Sequence, residues 1–87
     1  MTIRQTKAKL PTLRFKSGED VKVFRKKLGL NQSQFWSHVK VTQSGGSRFE
    51  SGRNIPMPVQ ILLHLAYATD KQAETVFKAL RTTPEAD

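Results

Sequence analysis

The sequence predicts an all-α protein, a compact domain of five helices in which helices 2 and 3 form a helix-turn-helix. Three observations support this fold class. Apolar residues recur at the spacing of a helix surface, most predicted helices follow a residue that caps helix N-termini, and 87 residues suit one small domain. We expect a basic N-terminal arm at residues 1–16, the domain itself at residues 17–81 and a tail at residues 82–87.

The predicted arm contains five basic residues, no acidic residue and no sustained helical period. Such an arm either contacts a bound polyanion or is a solvated tail. Its candidate contact residues are Arg4, Lys7, Lys9, Arg14 and Lys16. Leu10, Leu13 and Phe15 leave a further arrangement open, in which a short extended segment around Pro11 packs on the domain or on a second subunit.

Helix 1 is predicted to begin after Ser17, whose hydroxyl can accept a hydrogen bond from an unpaired amide of the first turn. Glu19 and Asp20 follow after one glycine, near the positive end of the helix dipole. Val21, Phe24 and Leu28 recur at helical spacing, so we expect them to form the buried stripe of this helix.

Residues 31–53 are predicted to form two short helices joined by a tight turn. Asn31 and Thr42 belong to the residue types that cap helices, so we expect each to precede a helix. Gly52 is predicted to end helix 3, because glycine adopts a left-handed conformation at little cost. Helices this short cannot bury a core alone, so they need supporting helices on both sides.

Helix 4 is predicted at residues 59–68, after a loop rich in proline. Its core-facing residues are expected to be Ile61, Leu62, Leu65 and Ala66. His64 has no nearby metal-ligand partner in the sequence and is expected at the surface or boundary. Asp70 is predicted to cap helix 5, at residues 71–81. The apolar stripe of helix 5 either closes the core or forms a dimer seam, and it consists of Ala73, Val76, Phe77 and Leu80.

A helix-turn-helix signature spans Leu28 to Pro56: L-G-L-N-Q-x-x-F-W-x-x-V-x-V-T-Q-S-x-x-S-R-F-E-S-G-R-x-x-P. It resembles the motif of the Cro/repressor-type (Xre-like, lambda-repressor-like) DNA-binding proteins in its spacing, its caps and its closing E-S-G-R. The resemblance implies that helix 3 lies in the major groove of double-stranded DNA. It implies base-reading roles for Gln43, Ser44, Ser47 and Arg48. It implies a phosphate contact for Gln32. Arg53 lies in the loop just after helix 3, a place suited to a phosphate contact, and Thr42 and Asn54 are further phosphate-binding candidates.

Two departures from the family pattern predict a compensating contact. Trp36 stands where the family usually has a small residue, and Gly46 stands where it usually has a β-branched aliphatic one. We expect Trp36 to pack over Gly46, because close-packed interiors tolerate exchanges that conserve volume. The alternative is a partly exposed Trp36 that contacts DNA or a partner.

Three further positions are interpreted through the resemblance. Arg25 and Glu50 match an ion pair that ties helix 1 to helix 3, so both are assigned structural roles rather than base-reading ones. Lys40 occupies the turn position where the family prefers glycine, so the turn either differs or holds a lysine in a left-handed conformation.

The composition restricts the classes of partner and chemistry. The net charge is +8 and the pI is about 10.3, which favours nucleic acid as the partner and an anionic membrane surface second. Cysteine is absent, the longest apolar run is too short to span a bilayer, and the N-terminal residues do not resemble an export signal. We therefore expect a cytoplasmic protein, and the family resemblance implies a bacterial, plasmid or phage context.

No enzymatic activity is predicted, because paired carboxylates, metal-spaced histidines and an activated nucleophile are all missing from the sequence. We likewise expect no metal, no cofactor and no small-molecule ligand. The resemblance implies a sequence-specific transcriptional regulator, most simply a repressor that binds a palindromic operator as a homodimer. The alternative is a DNA-binding antitoxin or an architectural, protein-docking module of a larger complex.

Overall fold

The computed structural model describes residues 10–82, which form five α-helices and, within that range, no strand. The helices are α1 (Gly18–Leu28), α2 (Gln32–His38), α3 (Gln43–Glu50), α4 (Met57–Tyr67) and α5 (Asp70–Arg81). The predicted all-α fold of five helices with a helix-turn-helix is therefore confirmed. None of these helices is long and apolar enough to cross a membrane.

The predicted caps of α1, α2 and α3 are confirmed by hydrogen bonds. Ser17 Oγ and Asn31 Oδ1 accept hydrogen bonds from the amides three residues later, at 3.2 and 2.8 Å. Thr42 Oγ1 accepts in the same way at 3.1 Å. Each cap satisfies one of the first-turn amides that no helical carbonyl can reach.

The prediction that Asp70 caps α5 is wrong, because Thr69 is the N-cap and Asp70 is the first helical residue. Thr69 Oγ1 accepts from the Gln72 amide at 3.2 Å, and Gln72 Oε1 accepts from the Thr69 amide at 3.1 Å. This reciprocal pair satisfies two amides instead of one. Asp70 stays in the first turn, where its charge interacts favourably with the helix dipole.

The predicted core face of α4 is also wrong. Leu63 is fully buried, whereas Leu62 is 45% exposed. Ala66 is exposed, and Ile61 and Leu65 are only half-buried. The inward side consists instead of Leu63 and His64, with Val59 and Tyr67 packed against the core. An almost wholly apolar helix has no polar face, so its sequence does not define which side points inward.

His64 is a buried residue, contrary to the prediction of a surface or boundary position, and only 2% of it is exposed. Its Nδ1 accepts a hydrogen bond from the Arg14 amide at 3.1 Å, and its Nε2 lies 3.1 Å from the Gln72 carbonyl oxygen. Because a backbone amide can only donate, Nδ1 carries no proton and Nε2 donates to Gln72. His64 thus joins the N-terminal segment to α5.

The segment before α1 packs on its own domain. Leu13 and Phe15 are 6% and 1% exposed, and Phe15 meets Phe24 edge-to-face with 4.9 Å between ring centroids. Of the arrangements left open for this segment, packing on the domain therefore holds from residue 10 onward. The predicted arm contacts at Arg4, Lys7 and Lys9 lie outside the described residues, as do residues 83–87 of the predicted tail.

One predicted core residue of α1 is exposed. Leu28 is 47% exposed, and Leu30 packs against the core in its place. Gly29 follows α1 in the left-handed conformation, with φ of 74°. The Leu30 amide then donates to the Arg25 carbonyl at 3.3 Å, and the chain turns toward the core. The buried leucine is therefore Leu30, two residues after the position that the helical period predicts.

Candidate nucleic-acid interface

The turn between α2 and α3 contains a residue in the left-handed backbone conformation, although that residue is not a glycine. Lys40 has φ of 66°, and its amide donates to the Ser37 carbonyl at 2.9 Å. The Val41 amide donates to the Trp36 carbonyl at 3.0 Å, which closes the turn. A lysine in this conformation costs roughly 1–2 kcal/mol relative to glycine.

Trp36 packs directly over Gly46, as predicted. A Cβ atom at position 46 would overlap the five-membered ring of the indole. Trp36 is fully buried, so the alternative of an exposed tryptophan that contacts DNA is wrong. Because the large side chain of Trp36 faces a position without a side chain, α2 and α3 lie in close contact.

The predicted Arg25–Glu50 ion pair is confirmed, and Glu50 has two further partners. Arg25 donates from Nε to Oε2 and from Nη2 to Oε1, both at 2.8 Å. Trp36 Nε1 donates to Oε2 at 2.9 Å, and Gln32 Nε2 donates to Oε1 at 3.2 Å. We call these four residues the Glu50 cluster, and it joins α1, α2 and α3 through one carboxylate.

The Glu50 cluster shifts the pKa values of its ion pair in opposite directions. Burial alone would raise the pKa of Glu50, but the hydrogen bonds from Arg25, Trp36 and Gln32 outweigh it and hold the pKa below its ordinary value. The hydrogen bond to Glu50 raises the pKa of Arg25. Both groups are therefore charged, and α3 is fixed to α1 by a bidentate pair whose side chains are 10% and 3% exposed.

Two members of the Glu50 cluster were not predicted as partners of this carboxylate. The indole N–H of Trp36 requires an acceptor once the ring is buried, and Glu50 provides it. Gln32 was assigned only to phosphate, and one of its two amide N–H groups is used by Glu50. The other N–H remains for a phosphate oxygen, and that role stays a prediction.

The residues predicted to read bases project from the first two turns of α3. Gln43, Ser44 and Arg48 are exposed, and Ser47 is half-buried. Helical spacing places positions 43, 44, 47 and 48 on one side of α3, opposite Gly46 and its contact with Trp36. The Thr42 hydroxyl accepts from the Gly45 amide, so its own proton remains for a phosphate oxygen. Their contacts with DNA stay predictions.

Gly18 lets the start of α1 touch the end of α3. It is buried, and a Cβ atom there would overlap the Phe49 carbonyl group. The close approach forms a surface cleft of about 360 Å³ that Lys16, Arg53 and Asn54 share. The structure thus brings one predicted arm residue together with two predicted phosphate-binding residues of the loop after α3.

Arg14 has different surroundings from Lys16. Its guanidinium carbon lies 5.0 Å from the centroid of the Phe24 ring and 5.6 Å from that of Phe15. These cation–π contacts add to the hydrogen bond between its amide and His64. Arg14 therefore has a structural role in holding the N-terminal segment, which the count of basic residues did not predict.

Within residues 10–82, no three His, Asp or Glu side chains form a group that could hold a metal ion. His38 is exposed on α2, and His64 has both ring nitrogens engaged by backbone groups. The polar surface of α3 and the loop after it is therefore the candidate site that the described residues offer.

Comparison with known proteins agrees with this site. The family model described as the RsaL-like HTH domain, where HTH denotes helix-turn-helix, matches residues 22–66. The match covers just over half of the 87 residues and includes all of α2 and α3. No curated protein and no solved structure matches the chain. The helix-turn-helix is thereby confirmed, whereas the narrower Cro/repressor-type kinship is not shown. The chain belongs to the RsaL-like HTH domain family, and residues 22–66 form a helix-turn-helix DNA-binding domain.

Proposed function

We propose that the protein is a sequence-specific transcriptional regulator of the Cro/repressor type, most simply a repressor that binds a palindromic operator as a homodimer. The observation that carries this proposal is the polar outer side of α3, whose inner side is fixed by Trp36 and the Glu50 cluster. A rigidly held helix can present short polar side chains to base edges in one register. The proposal places the protein in the cytoplasm of a bacterium, on chromosomal, plasmid or phage DNA.

Base reading is assigned to the exposed side of α3. The amide of Gln43 suits adenine, and the guanidinium of Arg48 suits either guanine or a phosphate. Ser44 and Ser47 are short, so they contribute weakly or through water. Two such helices in a homodimer would reach major grooves about one helical turn apart.

Phosphate binding is assigned to residues around α3, which would fix the position of the protein on the duplex. The set consists of Gln32, Thr42, Arg53, Asn54 and the basic residues of the N-terminal segment. Within that segment Lys16 is a better candidate than Arg14, because Arg14 is engaged by aromatic rings, whereas Lys16 lines the same cleft as Arg53 and Asn54. Glu19 and Glu50 line this cleft as well, so a phosphate would contact its basic side. The net charge of +8 supports the same assignment, because phosphate neutralisation supplies most of the non-specific affinity for DNA.

The first test is selection of bound duplexes from a random DNA pool, followed by affinity measurements at two salt concentrations. An inverted-repeat site preferred by roughly a thousandfold over scrambled DNA supports the proposal. Salt-sensitive binding without a preferred sequence contradicts it. That second result directs the search to the alternative, an antitoxin or a protein-docking module.

Arg48 needs a separate test on the selected operator. In Arg48→Ala, loss of discrimination at one base pair by roughly 1–3 kcal/mol identifies a base contact. Uniform weakening across sequences, with a salt slope reduced by about one, identifies a phosphate contact. Lys26→Ala is the control, because Lys26 is an exposed basic residue of α1 to which no contact with DNA or with a second copy is assigned.

A further inference from the structure

Lys40 is an exception among the left-handed residues of this chain. Its φ is 66°, and within residues 10–82 the other residues with a positive φ are the glycines Gly29 and Gly52. Glycine adopts this conformation without the steric cost that a Cβ atom adds. Gly29 follows α1 with a similar φ of 74°, so the chain has glycine after one helix and lysine after the next.

The same pair of backbone hydrogen bonds closes α1 and α2. In each case the amide of the left-handed residue donates to the carbonyl three residues back, and the next amide donates to the carbonyl five residues back. The two bonds measure 3.0 and 3.3 Å after α1, and 2.9 and 3.0 Å after α2. This arrangement requires the left-handed conformation, for which glycine is the usual residue. The geometry of the turn before α3 therefore gives no reason for a lysine.

The Lys40 side chain takes no part in the core of its own domain. Val39 on one side is buried in the core and Val41 on the other packs against it, whereas Lys40 is exposed. Within residues 10–82, Lys40 belongs to no ion pair. Its contacts in the described part of the chain therefore do not offset the cost of its backbone conformation.

The charges along the helix-turn-helix suit an external partner of Lys40. Residues 21–49 contain six Lys or Arg residues and no Asp or Glu. The next carboxylate along the chain belongs to Glu50, and both of its oxygens are bonded to Arg25. An exposed ammonium group in such a segment is suited to a polyanion, which for a helix-turn-helix is DNA.

The position of Lys40 in the chain indicates which part of the DNA it would meet. It stands two residues before Thr42, the N-cap of α3. Thr42 is a candidate for a phosphate contact, and Gln43 after it is assigned to a base. A lysine carries its charge on a long flexible stem, so its ammonium group can reach a phosphate close to the start of α3.

We propose that Lys40 binds a phosphate of the DNA backbone beside the start of α3, and that this contact offsets the conformational cost of the lysine. Residues in sparsely populated backbone conformations persist at binding sites, where the function outweighs the strain. The contact is independent of base sequence, because the ammonium group acts as a point charge on the phosphate. The inference rests on the proposed function for the docking of α3 on DNA, and not for operator symmetry or repression.

Lys40→Gly should stabilise the protein and weaken its binding to DNA. Relief of the left-handed strain should raise the Tm by roughly 4–8 °C. The dissociation constant for a DNA duplex should rise roughly three- to tenfold at about 0.15 M salt, and the slope of log K against log salt should fall by about one. Changes in opposite directions exclude a loss of fold as the cause of weaker binding. Unchanged affinity and an unchanged salt slope overturn the proposal.

Two control variants separate this contact from a general effect of charge. Lys40→Arg keeps both the charge and the left-handed cost, so it should keep the Tm and the salt slope of the wild type. Lys26→Ala removes a charge from the exposed side of α1 and should change the salt slope by much less than one. Equal changes of slope in Lys26→Ala and Lys40→Gly overturn the proposal, because net charge alone would then explain both.

Failure of the contact and failure of the proposed function give different results. Equal weakening of Lys40→Gly on unrelated duplexes supports the contact, even where the random DNA pool yields no preferred site and so contradicts the proposed function. A selected operator that the wild type and Lys40→Gly bind equally overturns the contact and keeps the proposed function. Weakening on the operator alone overturns the phosphate contact, because it identifies a contact with a base.

Discussion

The indole of Trp36 occupies the space that a side chain at position 46 would need, so α2 and α3 approach each other through a tryptophan and a bare backbone. Neither residue suits the site without the other. A smaller side chain at position 36 leaves a cavity, and a larger one at position 46 displaces the ring.

Gly46→Ala should lower the free energy of unfolding by roughly 1–3 kcal/mol, although alanine favours helices more than glycine, because overpacking outweighs the gain in helix propensity. Trp36→Ala should cost roughly 3–5 kcal/mol. Urea denaturation measures both. In Trp36→Ala/Gly46→Val the losses should be smaller than the sum of the single changes, since valine refills the cavity. Strictly additive losses would show that the two sites do not share the volume.

Glu50→Gln should destabilise the protein by roughly 3–5 kcal/mol, because it leaves the buried guanidinium of Arg25 without a counter-charge. The matched control is Glu74→Gln, which breaks an ion pair whose side chains are 62% and 72% exposed. The control should change the free energy of unfolding by less than about 0.5 kcal/mol. Similar losses in both variants would contradict the assigned role of the Glu50 cluster.

The Glu50 cluster also predicts a specific loss of stability in acid. Because the pKa of Glu50 in the folded protein lies below its ordinary value of 4.5, the unfolded state takes up a proton first as the pH falls. The stabilisation is complete above that ordinary value and is lost as the pH falls through the pKa of the folded state. Urea denaturation from about pH 7 to about pH 2 measures this slope. Glu50→Gln should reduce the slope, whereas Glu74→Gln should retain it.

The contact between Arg14 and His64 predicts protection of one amide. Hydrogen exchange of the Arg14 N–H should be slow in the wild type, because a buried imidazole nitrogen accepts from it. His64→Ala should accelerate this exchange and loosen the N-terminal segment, whereas His38→Ala, at an exposed position, should not. Fast exchange of the Arg14 amide in the wild type would refute the contact.

Local residue types were sufficient to predict most of the helix starts. Ser17, Asn31 and Thr42 act on amides within the next turn, so their caps depend only on neighbouring sequence. The exchange between Trp36 and Gly46 was predictable because the resemblance supplied the expected sizes at both positions. The Arg25–Glu50 pair was predictable on the same basis.

The failed predictions for α4 depend on packing and on contacts that are distant in sequence. The face of α4 that points inward is set by packing, since its sequence is apolar on all sides. His64 is buried because backbone groups 50 and 8 residues away bond its two ring nitrogens, and no residue pattern reports such partners. Gly29 ends α1 with a turn between Leu28 and Leu30. A prediction that continues the helical period does not include this turn, so it assigned Leu28 to the core in place of Leu30.

The division of α3 into an inner and an outer side has an evolutionary consequence. Glu50 and Gly46 hold the helix from within, whereas Gln43, Ser44 and Arg48 lie exposed on the other side. Substitutions at these three outer positions should therefore leave the free energy of unfolding nearly unchanged. Duplicated copies of this gene could diverge in the DNA that they recognise without first acquiring compensating changes in the core.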